Sequence, residues 1–88
     1  MLLQAFLIGY AIQKRHHIMA AKHDWHKVTK NNWDDIAKVI SQVMRYGKEG
    51  PYGLFAREKT LMLNGNKITV TFVRENGKIH ISNAWVNK

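Results

Sequence analysis

Two Asn-Gly dipeptides, at residues 64–65 and 76–77, constrain the fold of this chain more than any other feature. Asn-Gly is a preferred centre of a two-residue β-hairpin loop, because both residues tolerate the positive φ angles that such a loop requires. The flanking segments are rich in β-branched and aromatic residues, and they predict strands at residues 55–63, 67–74 and 78–86. Strands joined in order by tight turns form an antiparallel meander.

A two-residue loop also predicts which residues lie opposite each other, and therefore which side chains share a face of the sheet. The predicted pairs are Glu75 with Lys78, Val73 with His80, Phe72 with Ile81, Thr71 with Ser82, Leu61 with Ile68 and Thr60 with Thr69. One face is apolar and is expected to meet a helix. The other face carries Thr69, Thr71, His80 and Ser82. Threonine is common in strands, so the residues leave open whether this face is simply solvated or holds a reactive site.

The first half of the chain has helical character. Residues 2–22 contain no proline and a single glycine, which predicts one helix or two abutting helices. A further helix is expected to begin after Asn31 or Asn32 and to end at Gly47. Its apolar residues recur at three- and four-residue spacing, namely Trp33, Ile36, Val39, Ile40 and Val43. This stripe is expected to pack on the apolar face of the sheet.

These elements predict an α+β fold, with N-terminal helices packed on an antiparallel β-meander of three to four strands. Residues 48–53 contain both Gly and Pro and predict the loop between the two halves. A chain of 88 residues has room for one core. We therefore expect a single domain over residues 1–88, with a helical part at 1–47 and the sheet at 54–88.

The charge balance favours a polyanionic partner. The chain has 14 Lys and Arg against 6 Asp and Glu, a formal net charge of +8. That charge suits nucleic acid, an anionic membrane or an acidic protein. The absence of cysteine excludes disulfides and thiolate zinc sites. The five histidines are accompanied by neither an HExxH motif nor a carboxylate cluster, so we expect no metal site and no other cofactor.

The apolar run at residues 1–12 is too short to cross a membrane, since a spanning helix needs about 20 apolar residues. Gln4 interrupts the run, and Lys14 and Arg15 follow it, whereas a signal peptide carries its positive charges before the apolar segment. We therefore expect no stable membrane insertion. Packing on the domain core is the favoured interpretation, and a helix lying in the membrane interface is the alternative.

Histidines and lysines near both ends of the chain are the groups that metal-free RNA cleavage requires. One group must activate the ribose 2′-hydroxyl, another must protonate the leaving 5′-oxygen, and cations must stabilise the phosphate. His23, with Lys22 before it and Lys27 close behind, is the leading candidate for proton transfer. His26 and His80 are the other candidate proton carriers.

Lys22 and His23 on the helical side, with Ser82 and Trp85 in the last predicted strand, resemble the nuclease domains of the colicin D type. More broadly, the layout is similar to the C-terminal toxin domains of contact-dependent growth-inhibition and other polymorphic toxins with the barnase/EndoU/colicin/RelE fold. The resemblance implies that Lys22 belongs to a basic cradle and that His23 is the catalytic histidine. It also implies that Ser82 and Trp85 help to bind or cleave tRNA.

The resemblance implies a metal-independent endoribonuclease, in which the 2′-hydroxyl attacks the adjacent phosphate and leaves a 2′,3′-cyclic phosphate. The colicin D pattern requires neither His26 nor His80, so the assignment of acid and base stays open. The other expected catalytic contacts come from Lys22, Thr71 and Ser82, and the expected RNA contacts come from Lys27, Arg57, Lys59, Thr69 and Trp85. Core packing is the alternative role for Trp85, and plain solubility is the alternative for Arg57 and Lys59. Trp25 and Trp33 are expected in the core.

The same resemblance implies the partners. They are a tRNA substrate and a cognate immunity protein, which a toxin of charge +8 predicts to be acidic. Some members of the group also depend on translation factors such as elongation factor Tu. The domain would be secreted or delivered from the cell surface within a larger effector, and would act in the cytoplasm of the target cell. Two alternatives remain open: a non-catalytic RNA- or DNA-binding module, and a membrane-active toxin led by residues 1–12.

Overall fold

The computed structural model describes residues 18–19, 23–30 and 32–87. The elements within these residues are a short 3-10 helix at Trp25–Lys27, helix α1 at Trp33–Tyr46, and strands β1 at Lys48–Tyr52, β2 at Ala56–Leu63, β3 at Asn66–Glu75 and β4 at Lys78–Val86. The predicted α+β fold is confirmed, with α1 packed on an antiparallel sheet of order β1-β2-β3-β4 in the described part of the chain. The predicted helices at 2–22 lie almost wholly outside the described residues.

Helix α1 begins as its sequence predicts. The side-chain oxygen of Asn32 accepts a hydrogen bond from the backbone N–H of Asp35 at 2.9 Å, which satisfies one of the unpaired donors at a helix start. Asn31, the other predicted cap, lies outside the described residues. The apolar stripe is buried against the sheet, and its core members are Ile36, Val39, Ile40 and Val43.

Both predicted hairpin turns are confirmed. Asn64 and Asn76 have φ angles of 51° and 53°, and the glycines after them have φ angles of 80° and 76°. Two successive positive φ angles match the twist of an antiparallel pair, which is why Asn-Gly suits this turn. Five predicted pairs occur: Glu75 with Lys78, Val73 with His80, Phe72 with Ile81, Leu61 with Ile68 and Thr60 with Thr69.

The sixth predicted pair is wrong, because β4 contains a β-bulge. Thr71 pairs with Asn83 rather than with Ser82, so Ser82 is an extra residue opposite the step from Thr71 to Phe72. One extra residue reverses the alternation of side chains beyond it. Without the bulge, a polar amide and a tryptophan would face the core. With it, Ala84 and Val86 lie there instead, at 0% and 1% exposure.

The segment predicted as a loop at residues 48–53 is largely strand β1, and the sheet therefore begins at Lys48 rather than at residue 54. Strand β1 is the edge strand beside β2, and Pro51 lies opposite Arg57. An edge strand tolerates proline, because its outward backbone groups need no partner strand. The actual turn follows β1, where Gly53 has a φ of 70°.

The core fills the space between α1 and one sheet face. On the sheet side it contains Ile68, Val70, Phe72 and Ile81. Trp25, which is 2% exposed, joins this core as predicted, and Trp33 packs partly buried against it. Within the part of the chain that the structure describes, no helix is long and apolar enough to cross a membrane, and residues 1–12 are not in that part.

Candidate active site

His23 is buried and fixed by a contact across the whole fold. Its Nδ1 lies 2.8 Å from the backbone carbonyl oxygen of Ala84 in β4, and the residue is 4% exposed. A carbonyl oxygen can only accept a hydrogen bond, so Nδ1 donates and carries a proton. The neutral ring then has its lone pair on Nε2. His23 is therefore held in the tautomer whose Nε2 is the acceptor nitrogen of the ring.

The backbone around His23 lets two neighbouring side chains enter the protein. Trp25 is buried, and its Nε1 donates a hydrogen bond to the carbonyl of Ile18 at 2.6 Å. Asp24, between them, has a left-handed conformation with φ 59°. This conformation is costly for most residues, although aspartate tolerates it better than most. The turn at Asp24 allows both His23 and Trp25 to be inserted into the fold.

The outer edge of β4 receives this segment. The carbonyl of Ala84 accepts a hydrogen bond from His23, and the N–H of Ala84 donates to the side-chain oxygen of Asn83 at 2.9 Å. In an antiparallel strand both backbone groups of one residue point to the same side. Side chains therefore occupy the edge positions that a further strand would otherwise take. The 3-10 helix contacts β4 here.

We call the sheet face that points away from α1 the threonine face. It is bordered by β4, the edge strand to which His23 is hydrogen-bonded. Directly opposed residues share a face, so one row across this face is Lys48, Thr60, Thr69 and Trp85, and the next row is Gly50, Glu58, Thr71 and Asn83. Ala84 separates the β4 members of these two rows. His23 is thus anchored at the β4 end of two polar rows.

The threonines of this face are buried rather than open. Thr69 and Thr71 are 3% and 2% exposed. The hydroxyl of Thr69 donates to the side-chain oxygen of Asn87 at 2.6 Å, and that of Thr71 donates to the carbonyl of Asn83 at 3.4 Å. Their hydroxyl protons are thus used within the protein, while the oxygens can still accept. These contacts hold β4 in place beside His23.

Other predicted site residues lie at varying distances from His23. His26 and Lys27 are exposed on the 3-10 helix, and Lys27 lies 4.0 Å from the carboxylate of Asp24. Ser82 is exposed in the bulge. His80 pairs with Val73 and Ala84 pairs with Val70, so the bulge leaves their Cα atoms about 10 Å apart along the strand. His80 thus lies on the threonine face, three pairs along the sheet from the anchor of His23. Lys22 lies outside the described residues.

Arg57 and Lys59 lie on the helix face of the sheet, away from the threonine face, because they oppose the core residues Phe72 and Val70. Arg57 donates to the Glu49 carboxylate at 2.9 Å. The Nζ of Lys59 donates at 2.5 Å to a carbonyl in the last turn of α1. The structure therefore joins both residues to the framework and does not bring them to His23.

Arg57 shares Glu49 with Arg74, which donates twice to the carboxylate, at 2.7 Å each. The hydrogen bonds from Arg74 and then Arg57 lower the pKa of Glu49 from 4.5 to about 2, and the carboxylate raises the pKa of Arg74. The guanidinium of Arg74 also lies 5.1 Å from the centre of the Phe72 ring. This cluster links β1 to β2 and β3. It therefore positions Lys48 and Gly50, the β1 members of the two rows.

Comparison with known families shows the family to which the chain belongs. The family model described as bacterial toxin 35 matches residues 11–86. The chain belongs to the bacterial toxin 35 family. The match includes α1, the 3-10 helix and all four described strands. Comparisons with curated proteins and with solved structures give no match.

Family membership confirms the coarser part of the sequence prediction: this is a bacterial toxin domain. Membership is also consistent with delivery as part of a larger bacterial effector. Among the residues that the structure describes, no group of three or more His, Cys, Asp or Glu side chains could hold a metal ion.

Three residues of the candidate site were not predicted from the sequence. Asn83 bonds the backbone of Ala84, and Lys48 and Tyr52 share the face of Trp85. Lys48 and Tyr52 were assigned to a loop because Gly50 and Pro51 lie between them. The alternation Lys48, Gly50, Tyr52 was a weak strand signal. Asn83 lies on the threonine face only because of the bulge, and no local sequence pattern predicts the bulge.

Proposed function

We propose that this toxin domain is a metal-independent ribonuclease that cleaves tRNA and leaves a 2′,3′-cyclic phosphate. The observation that carries the proposal is the buried histidine whose Nδ1–H is bonded to the Ala84 carbonyl. A carbonyl or carboxylate behind Nδ1 orients the imidazole and stabilises the cation that forms when Nε2 takes a proton.

In the proposed reaction, Nε2 of His23 accepts the proton of the ribose 2′-hydroxyl. The 2′-oxygen then forms a bond to phosphorus as the bond from phosphorus to the 5′-oxygen breaks. The 5′-oxygen leaves as a hydroxyl after it receives a proton from a second donor, for which His26 and water are the two candidates. Atoms and charge balance without a redox partner, and general-base catalysis of this kind contributes roughly 10²–10⁴-fold in rate.

The charged phosphate requires nearby cations. Lys22 precedes His23 directly in the sequence, and Lys27 is exposed on the 3-10 helix that begins two residues after His23. A net charge of +8 attracts RNA before any specific contact forms. Trp85, half-buried beside the Ala84 anchor, offers a ring for a base.

The proposal extends to partners and place of action. An acidic immunity protein that covers the site would match the charge of the toxin. Elongation factor Tu is a further candidate partner, because some toxins of the resembled group depend on it. Delivered within a larger effector, the domain would act in the cytoplasm of a target cell, where tRNA is present.

The test is incubation of the purified chain with total bacterial tRNA in EDTA, followed by a denaturing gel. The informative variant is His23→Asn, because the asparagine amide can still donate to the Ala84 carbonyl but cannot take a proton. We expect His23→Asn to stay folded and to lose cleavage by a factor of roughly 10² or more. His23→Ala should lose both the bond and activity, and His26→Ala shows whether His26 is the acid.

A folded His23→Asn variant that cleaves as fast as wild type would refute the role assigned to His23, and tRNA left intact by wild type would refute the ribonuclease itself. A substrate with a 2′-deoxyribose at the cleavage site should resist cleavage, because the attacking hydroxyl is absent. The low exposure of His23 favours one competing function, an RNA-binding module in which this histidine only supports the fold. Intact tRNA, even after addition of cell extract, would favour that module.

A further inference from the structure

Strand β1 places on the threonine face two side chains that the proposed reaction does not use. Lys48 lies opposite Thr60, at the far end of the row that ends in Trp85. Tyr52 lies two positions beyond Gly50 on the same face. Both residues are exposed, Tyr52 at 45%. They form an accessible border to a face whose threonines are buried.

The Tyr52 ring meets the Trp85 ring across the sheet. The two ring centres are 6.1 Å apart and the ring planes are inclined by 55°. An inclined pair at this distance has an edge-to-face character, so one ring cannot cover both faces of the other. Since Tyr52 is nearly half exposed, part of its ring is open to a ligand.

We propose that Tyr52 and Trp85 form a subsite for one unpaired nucleobase, with Lys48 on the same face contacting the phosphate backbone further along the RNA. The subsite deepens the proposed ribonuclease function, on which its biological meaning rests, by naming the substrate class as unpaired RNA. Aromatic side chains on a sheet surface stack on bases that are splayed out, whereas bases inside a duplex are already stacked on each other. A loop or an end of an RNA can supply such a base.

Nucleic acid suits this surface better than a protein does, because the aromatic pair shares its face with the exposed Lys48 and includes Trp85, the neighbour of the Ala84 anchor, in a chain of charge +8. The neighbouring hairpin tip has a different character. The tip carries two apolar side chains, Leu54 and Phe55, which are 91% and 88% exposed. That tip is the feature that a protein partner would recognise, and it serves as the contrast in the test.

The test uses a fluorescently labelled single-stranded oligoribonucleotide with 2′-O-methyl groups, which cannot be cleaved. Anisotropy gives its Kd for wild type, for Tyr52→Leu and for Tyr52→Phe. We expect Tyr52→Leu to weaken binding by roughly 5- to 150-fold, as for the loss of one stacked base, and Tyr52→Phe to bind nearly as wild type. Tyr46→Leu is the matched control, because Tyr46 is 66% exposed at the end of α1.

Tyr52→Leu should have no such effect on a fully paired 2′-O-methyl duplex of the same length. Unchanged affinity of Tyr52→Leu for the single strand would overturn the inference, and so would an equal loss in Tyr46→Leu. An equal loss in a Leu54→Ser, Phe55→Ser double variant would transfer binding to the hairpin tip and would also overturn it.

The outcomes for the subsite and for the ribonuclease are separable. Binding of the uncleavable strand needs no catalysis, so it can depend on Tyr52 even if wild type leaves tRNA intact in the presence of cell extract. In that case the ribonuclease proposal fails and the subsite stands. Conversely, cleavage that needs His23 together with Tyr52-independent binding would leave the ribonuclease and remove the subsite.

Discussion

Replacing Glu49 with glutamine should remove a pH-dependent part of the stability of the sheet. Glu49 accepts hydrogen bonds from Arg57 and Arg74, and its pKa is about 2 instead of 4.5. If the whole shift were folding free energy, it would amount to about 3 kcal/mol at neutral pH. The arginine side chains are 42% and 49% exposed, so solvent screens them, and we expect about 1–2 kcal/mol.

The direction of the pH dependence follows from the lowered pKa. The ionised carboxylate is favoured in the folded state, so its stabilisation is complete above pH 4.5 and is lost as the pH falls towards about 2. Urea unfolding followed by tryptophan fluorescence should show wild type more stable than Glu49→Gln at pH 7. The two proteins should converge as the pH approaches 2.

Glu58→Gln is the matched control, because Glu58 lies on the threonine face of the same sheet, opposite Gly50. It should not reproduce the pH-dependent difference. A constant difference between wild type and Glu49→Gln from pH 7 to pH 2.5 would refute the electrostatic explanation. High salt should reduce the difference at pH 7, because partly exposed ion pairs are screened.

Three further substitutions test the framework, each by urea unfolding. Gly47→Ala should destabilise the fold by about 1–3 kcal/mol, because the added Cβ would lie 2.9 Å from the Thr60 carbonyl oxygen. Gly50→Ala is the control. It should not show this penalty, because nothing lies within 4 Å of its Cβ. Asn32→Ala should cost about 1 kcal/mol through loss of the helix cap, and a neutral result would remove that role. Trp25→Phe should cost about 1–3 kcal/mol, because a buried carbonyl loses its indole donor.

The hairpins could be predicted because their signal is local. Asn64 and Asn76, each followed by glycine, specify the turn and hence the register next to it. The bulge at Ser82 could not be predicted in this way. It is decided by which β4 side chains the core accepts, and the core takes Ala84 and leaves Trp85 on the other face.

Strand β1 shows how tertiary contacts override local preference. Gly50 and Pro51 indicate a turn, yet the segment pairs with β2 along its whole length, and Glu49 ties it to two arginines. The candidate site shows the same limit. His23 could be selected as a candidate from the residue types near it, whereas its anchor on Ala84 depends on a contact that no local pattern encodes.

The separation between His23 and its anchor has a consequence during protein synthesis. Ala84 follows His23 by 61 positions, so the hydrogen bond that orients the imidazole requires β4 to be made and paired. A nascent chain that has emerged only as far as β3 has the histidine but not the carbonyl that holds it. On the proposed function, we therefore expect the nascent toxin to be inactive until the sheet closes.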